Sequence, residues 1–383
     1  MNTLASLSEF GLNAEFPVNE QCQYLNHAAV APWPESARKA VVQFAQDNTA
    51  TGSSNYMQWL NVEAELRYNL ARLIGAHKDS IAFVKNTSEA LSFVAYGIDW
   101  QPGDVVIISD EEFPSNRIVW ESLACKGVVV KAVSLKGETP EQHILNAIEQ
   151  GARLLSISAI QYASGTRMNL TKLGQTCRDN DVLFCVDAIQ AIGAVQFDVN
   201  ECQCDFAMAD GHKWMLGPEG LGLFYVRPEV MDQLSLNEYG WHMIENMGDY
   251  SRTDWEVAST ARRFECGSPN LLAAHALKAS TDLLLDIGMS NIETAICERV
   301  TYLARALTNQ GATLITPKHS LGCSGIITFD TNGHNPIEIW QSLMKDSVIC
   351  MHRGGGIRFS PHYHTPQAAL DTAVEKVAKL CRW

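Results

Sequence analysis

Between residues 80 and 226 short apolar runs alternate with amphipathic stretches of helical period, and few architectures accept that rhythm. The runs are SIAFV (80 to 84), VVIIS (105 to 109), GVVVKAV (127 to 133), LLSISAI (154 to 160), VLFCVD (182 to 187), DFAMAD (205 to 210) and GLGLFYV (220 to 226). Apolar runs separated by helical stretches are the mark of a mainly parallel sheet with helical crossovers. The expected class is therefore α/β, with a large domain over residues 18–262 built on a seven-stranded, mainly parallel sheet flanked by helices. Between about 228 and 265 the periodicity fades into NEYGWHMIENMGDYSRTDW, a long irregular connection of the kind that is commonly functional. Helical patterns at about 268–310 and 366–382 then flank the short runs IITFD (326 to 330), SVICM (347 to 351) and GIRFS (356 to 360). They predict a smaller α+β C-terminal domain over residues 263–383, joined by the N-terminal segment 1–17.

Charge and composition remove several function classes. A net charge of −14 over 383 residues disfavours a phosphate backbone as partner, because that needs clustered Lys and Arg. No segment approaches the roughly 20 apolar residues of a membrane span. The opening MNTLASLSEFGLNAEF has no basic start followed by an apolar stretch, so the expected location is the cytoplasm. The eleven cysteines are scattered, and the closest pair, Cys202 and Cys204, has no second pair or His cluster at metal-ligand spacing. They are expected to be reduced thiols, with no metal site.

Chemistry concentrates where strands end. VLFCVD ends in Asp187, and DFAMAD ends in Asp210 and runs into Gly211, His212 and Lys213. Ligands of open α/β sheets sit beyond the carboxyl ends of strands. An aldehyde cofactor needs a lysine amine to form an imine, and a carboxylate opposite a pyridine nitrogen keeps that nitrogen protonated. Lys213 and Asp187 can supply these two parts, although a solvated lysine and a capping aspartate are the commoner uses of such residues. The segment following SIAFV, with Thr87 and Ser88, opens a helix whose N-terminus suits a phosphate, or is an ordinary helix cap. A nicotinamide-binding enzyme should show GxGxxG after an early strand, and no candidate strand provides it.

Taken together, YLNHAAVAP (24 to 32), NTSEAL (86 to 91), EEFPSN (111 to 116), VDAIQAIG (186 to 193), DGHKWMLGPEGLG (210 to 222), RFECGSPN (263 to 270) and GIRFSPHYHTP (356 to 366) resemble the class V aminotransferase family of fold-type I pyridoxal 5'-phosphate (PLP) enzymes. That family includes cysteine desulfurases, kynureninases and isopenicillin N epimerase-like proteins. The resemblance implies PLP as cofactor, Lys213 as its Schiff-base lysine and Asp187 as partner of the pyridine nitrogen. It implies Gln190 on the phenolic oxygen, Thr87, Ser88 and His212 at the phosphate, and Phe113 against the ring. Ser268 matches a position that reaches the phosphate from a neighbouring subunit, so a homodimer with shared active sites is implied. Arg358 matches the arginine that grips the substrate carboxylate, and His27, Trp33, Tyr162 and Arg353 lie in segments bordering the cofactor in related proteins. GWHMIEN (240 to 246) either covers the site or packs in an interface.

Departures from the family pattern narrow the reaction. Phe113 replaces the histidine of cysteine desulfurases, and a phenyl ring cannot move protons. The stretch from Cys350 to Arg358 is short and glycine-rich, so Cys350 reads as a core residue, and Cys323 does not match the family's catalytic loop. These departures favour chemistry confined to the cofactor, with Lys213 moving the Cα proton; among its exits the family name, rather than any residue, favours an amino-acid aminotransferase. A C–S lyase, a cysteine desulfurase-like enzyme, an amino-acid epimerase and a PLP-binding regulatory protein are the alternatives.

Overall fold

The computed structural model describes residues 12–382, residue 138 excepted. All seven apolar runs are strands of one sheet: β2 (Ile81–Val84), β3 (Val105–Ser109), β4 (Val129–Val133), β5 (Leu154–Ser158), β6 (Leu183–Asp187), β7 (Phe206–Asp210) and β8 (Gly222–Val226), after a short β1 (Gln23–Tyr24). Their spatial order is β2-β8-β7-β6-β5-β3-β4. Only β8 runs antiparallel to its neighbours, so the other six strands present their carboxyl ends at one edge. Strands β5, β7 and β8 are buried along their whole length, as the continuous apolar runs require when helices cover both faces. No helix of the described residues is long and apolar enough to cross a membrane.

A second, three-stranded sheet combines β9 (Ile327–Phe329), β11 (Met351–Arg353) and β12 (Gly356–Phe359) in antiparallel order β11-β12-β9. The run SVICM, read as one strand, is divided at Cys350: β10 (Val348–Ile349) pairs with β1, and β11 turns to pair with β12. Gln23–Tyr24 thus hydrogen-bonds to the C-terminal part of the chain, although sequence patterning placed residues 18–262 together. Of the N-terminal segment 1–17, residues 1–11 lie outside the described residues. The helical pattern at 268–310 is two helices, Leu271–Ile287 and Met289–Asn309, broken at Gly288, whose φ of +87° favours glycine.

The second of these helices ties the two parts together. Its first turns bury Ile292, Ala295 and Ile296 in the core under the large sheet, while Val300, Leu303 and Leu307 enter the core of the small one. Helix Leu271–Ile287 also packs into the large core, so the two cores meet along Met289–Asn309 rather than at residue 263. The segment between helix Pro228–Met231 and the short 3-10 turn Ala261–Phe264 is irregular, as its polar, aperiodic sequence predicts.

Candidate active site

The site is a cavity of about 240 Å³ at the carboxyl edge of the large sheet. Thr87 and Ser88 follow β2, Phe113 and Ser115 follow β3, and Ser158 and Tyr162 end and follow β5. Asp187, Ile189 and Gln190 come from the end of β6, and Asp210, His212 and Lys213 from β7. Ala28, Ala29, Arg353 and Arg358 line it as well, the two arginines coming from the small sheet. Ten of the thirteen residues assigned from sequence therefore share one cavity: Thr87, Ser88, Phe113, Tyr162, Asp187, Gln190, His212, Lys213, Arg353 and Arg358.

Its electrostatics are set by burial. Asp187 is 2% exposed, and burial pushes its carboxyl up to about 7, with nearby Glu112 and Asp210 adding to the rise. The Ile189 N–H, donating to Oδ1 at 3.0 Å, and the Lys213 charge act against it. Burial likewise lowers the Lys213 amine to about 8 against the pull of Asp187, and Arg358 and Arg353 lower it further. Lys213 Nζ lies 5.7 Å from the centre of the Phe113 ring, which itself stands edge-on to Tyr162 at 5.1 Å. Arg358 is pulled down to about 9, mainly by burial, and is still cationic at neutral pH.

Helix Thr87–Gly97 begins at this cavity. Asn86 caps it by accepting the Glu89 N–H at 3.0 Å. The first-turn Thr87 hydroxyl is buried and has no hydrogen-bond partner, and an anion at the helix N-terminus would satisfy it. His212 lies 3.4 Å from Asp210, without hydrogen-bond alignment. Gln190 has its amide orientation fixed from both ends: Oε1 accepts from Trp214 Nε1 at 2.8 Å, and Nε2 donates to the Ala28 carbonyl at 3.0 Å. One N–H of Nε2 is left to donate elsewhere. A lysine, a buried carboxylate, a helix N-terminus with an unsatisfied hydroxyl, and a flat aromatic wall fit pyridoxal phosphate.

Three residues assigned from sequence, Ser268, His27 and Trp33, are placed elsewhere. Ser268 is exposed and borders a separate cavity with Lys85, Glu238 and Cys266. His27 is fully buried behind the site in a cluster with His362, His364 and Trp214. Hydrogen-bond partners assign the tautomers there. His362 Nδ1 accepts from the Tyr363 N–H at 2.9 Å, so its Nε2 donates to the Trp214 carbonyl at 3.1 Å. His27 Nδ1 donates to the Ser360 carbonyl at 3.0 Å, so its Nε2 accepts from His364 Nε2, 3.1 Å away. Trp33 is a partly exposed surface residue that does not border the cavity. GWHMIEN does not line it either; Gly240, Trp241, Met243, Ile244 and Asn246 border a cavity of their own.

Sequence reasoning passed over Glu112, a buried carboxylate at the edge of the site. It accepts from Ser109 Oγ at 2.7 Å, Asn116 Nδ2 at 2.8 Å, Gln161 Nε2 at 2.9 Å and Ser158 through both N–H and Oγ. Only its place in EEFPSN signalled it. Among the described residues Glu63, His242 and Glu265 bring possible metal-ligand atoms within 4.8 Å of one another. The Arg67 guanidinium donates to both carboxylates, so a cation already stands among them.

Of the cysteines, Cys350 is fully buried and burial pushes its thiol up to about 12. Cys323 borders another cavity, beside Arg167 and Glu141. None of the eleven cysteines lines the site.

Comparison with known proteins agrees with this geometry. Over 390 aligned residues the chain is 27% identical to a probable cysteine desulfurase of Methanothermobacter thermautotrophicus, covering 96% of each chain. Its fold matches the apo cysteine desulfurase of Thermococcus onnurineus NA1 with a TM-score of 0.88 at 24% identity, over 97% of this chain and 98% of that one. It also matches the cystine C–S lyase C-DES, solved with its reaction product cysteine persulfide, with a TM-score of 0.88 at 22% identity, over 95% and 99%. The aminotransferase class-V model matches residues 23–367, and the chain belongs to the class V aminotransferase family.

Proposed function

We propose that this chain is a PLP-dependent enzyme that cleaves the C–S bond of a cysteine-class amino acid and releases the sulfur without storing it on an enzyme thiol. The observation that carries this reading is the absence of a cysteine from the cavity lining, with Cys350 held in the small-sheet core and Cys323 in another cavity. A desulfurase of the persulfide type needs a thiolate within reach of the substrate sulfur. The names of the related proteins support C–S chemistry over transamination, which the family resemblance had favoured.

When bound, PLP supplies an aldehyde for the amine and a ring that accepts the electrons left at Cα. The Asp187 carboxylate, raised to about 7 mainly by burial, would hold the ring nitrogen and share its proton. Lys213, lowered towards neutrality, takes the Cα proton. Phe113 would cover the ring and, having no proton to move, leaves Lys213 as the base; Arg358 would orient the substrate carboxylate. Gln190 would donate its remaining Nε2 hydrogen to the phenolic oxygen, and Thr87, Ser88 and His212 would hold the phosphate.

Incubating the holoprotein with L-cysteine and L-cystine tests the proposal. The expected products are pyruvate, ammonium and a reduced sulfur species, and Cys323→Ser and Cys350→Ala are expected to keep the wild-type rate. Alanine in place of pyruvate, with activity lost in either cysteine variant, would establish an enzyme-bound persulfide instead. Accumulation of pyridoxamine phosphate would establish transamination.

A further inference from the structure

The hairpin of β11 and β12 closes through Gly354 and Gly355, both at positive φ (+58° and +83°), as a two-residue turn of this kind requires. Its register sets Met351 opposite Arg358 and Arg353 opposite Gly356. Cross-strand partners share a face and alternate residues return to it, so Arg353 and Arg358 project from the same face as diagonal neighbours, roughly 7 Å apart. Both line the active-site cavity.

Neither guanidinium forms an ion pair with a described residue. Arg358 Nη1 donates to the Tyr162 carbonyl at 2.7 Å, its Nε is buried without a partner, and Arg353 Nη1 reaches only the His352 carbonyl at 3.1 Å. Like charges at neighbouring positions of a sheet repel, and a cation withdrawn from water needs a counter-charge. The acidic groups of the cavity are otherwise engaged: Asp187 faces Lys213, and Asp210 lies beside His212. The proposed phosphate seat is at Thr87 and Ser88, on helix Thr87–Gly97, and a substrate α-carboxylate carries one negative charge, which leaves one of the two arginine charges unbalanced.

From this geometry we infer that Arg353 binds a second anionic group on the substrate side chain, while Arg358 holds the α-carboxylate. The inference rests on the proposed C–S cleavage and names its substrate class: an S-substituted cysteine carrying an acidic group beyond the sulfur. With S-sulfo-L-cysteine as probe, substrate and water give pyruvate, ammonium, thiosulfate and a proton. The Cα–H and Cβ–S bonds break, the Cβ–S electron pair leaves with sulfur, and water oxygen replaces nitrogen at Cα. No outside oxidant or reductant enters.

The holoenzyme is assayed with S-sulfo-L-cysteine and S-methyl-L-cysteine, and the dissociation constants of L-aspartate and L-alanine are read from the change in cofactor absorbance. Because the two sulfur leaving groups differ intrinsically, the diagnostic quantity is the change in their kcat/KM ratio between wild type and variant. Arg353→Ala is expected to lower that ratio, and the preference for L-aspartate over L-alanine, by about tenfold or more, with Arg353→Lys recovering part of both. Arg353→Gln serves if the alanine variant does not fold. Unchanged ratios in these variants overturn the inference. If no sulfur substrate is cleaved but the Arg353-dependent preference for L-aspartate persists, the C–S reading fails and the assignment of Arg353 stands.

Discussion

Lys213 illustrates how a single side chain acquires its chemistry from where the sheet leaves it. An exposed lysine holds its proton to about pH 10.4, whereas burial beside Arg358 and Arg353 brings this amine to about 8. Only the neutral amine attacks an aldehyde, so the rate at which apoprotein captures PLP is expected to rise through pH 8 rather than pH 10. Stopped-flow absorbance of the imine measures it, and Lys213→Ala is expected to abolish the imine signal. The unsatisfied Thr87 hydroxyl gives a second prediction. Thr87→Val keeps the shape but removes a donor to a charged phosphate, and is expected to weaken PLP binding roughly tenfold by equilibrium dialysis. Lys213 and Asp187 were legible in sequence because each sits at a strand end. His27 was not, since the partners that fix its ring, Ser360 and His364, lie more than 330 residues along the chain. Glu112 was hidden for a related reason: a carboxylate in a loop reads as solvated until the serine and amide donors around it are seen.

Elements carry the geometry that these residues need. The turn after β6 depends on Gly193, at φ +92°, where a Cβ would lie 2.3 Å from the Trp214 carbonyl. Trp214 in turn anchors Gln190 and follows Lys213 directly. Gly193→Ala is expected to destabilise the fold by a few kcal/mol and to loosen cofactor binding, measured by urea unfolding and dialysis. Seven strands were readable because continuous apolar runs between helical stretches have one common solution. The division of SVICM between two sheets was not. An apolar run records that residues are buried, and the partners that bury them, β1 on one side and β12 on the other, come from distant sequence.

At the scale of the whole molecule the three buried imidazoles join the strands and turns behind the site. Burial lowers His27 to about 4 and holds His362 and His364 well below the ordinary imidazole range, whereas the unfolded chain titrates near 6.5. Below pH 6.5 the unfolded state therefore binds protons that the folded state refuses, and stability is lost as pH falls from 6.5 towards 4. The expected loss is about 1.4 kcal/mol per pH unit for each imidazole, measured by urea unfolding of the apoprotein. His364→Phe is expected to flatten that slope. Ser268 is exposed and outside its own chain's cavity, and the family resemblance matches it to a position that reaches a neighbouring subunit's phosphate, so a homodimer is proposed. Sedimentation should show twice 42.3 kDa, and Ser268→Ala should weaken cofactor binding. By itself the sequence determined the α/β sheet, its strands and the lysine and carboxylate at their ends, because those follow from local periodicity and from where strands stop. Tertiary structure alone decided that Arg353 and Arg358 share a face, that His27 turns away and that no thiol reaches the cavity. Such facts depend on hairpin register and on long-range packing, which no local pattern of residues encodes.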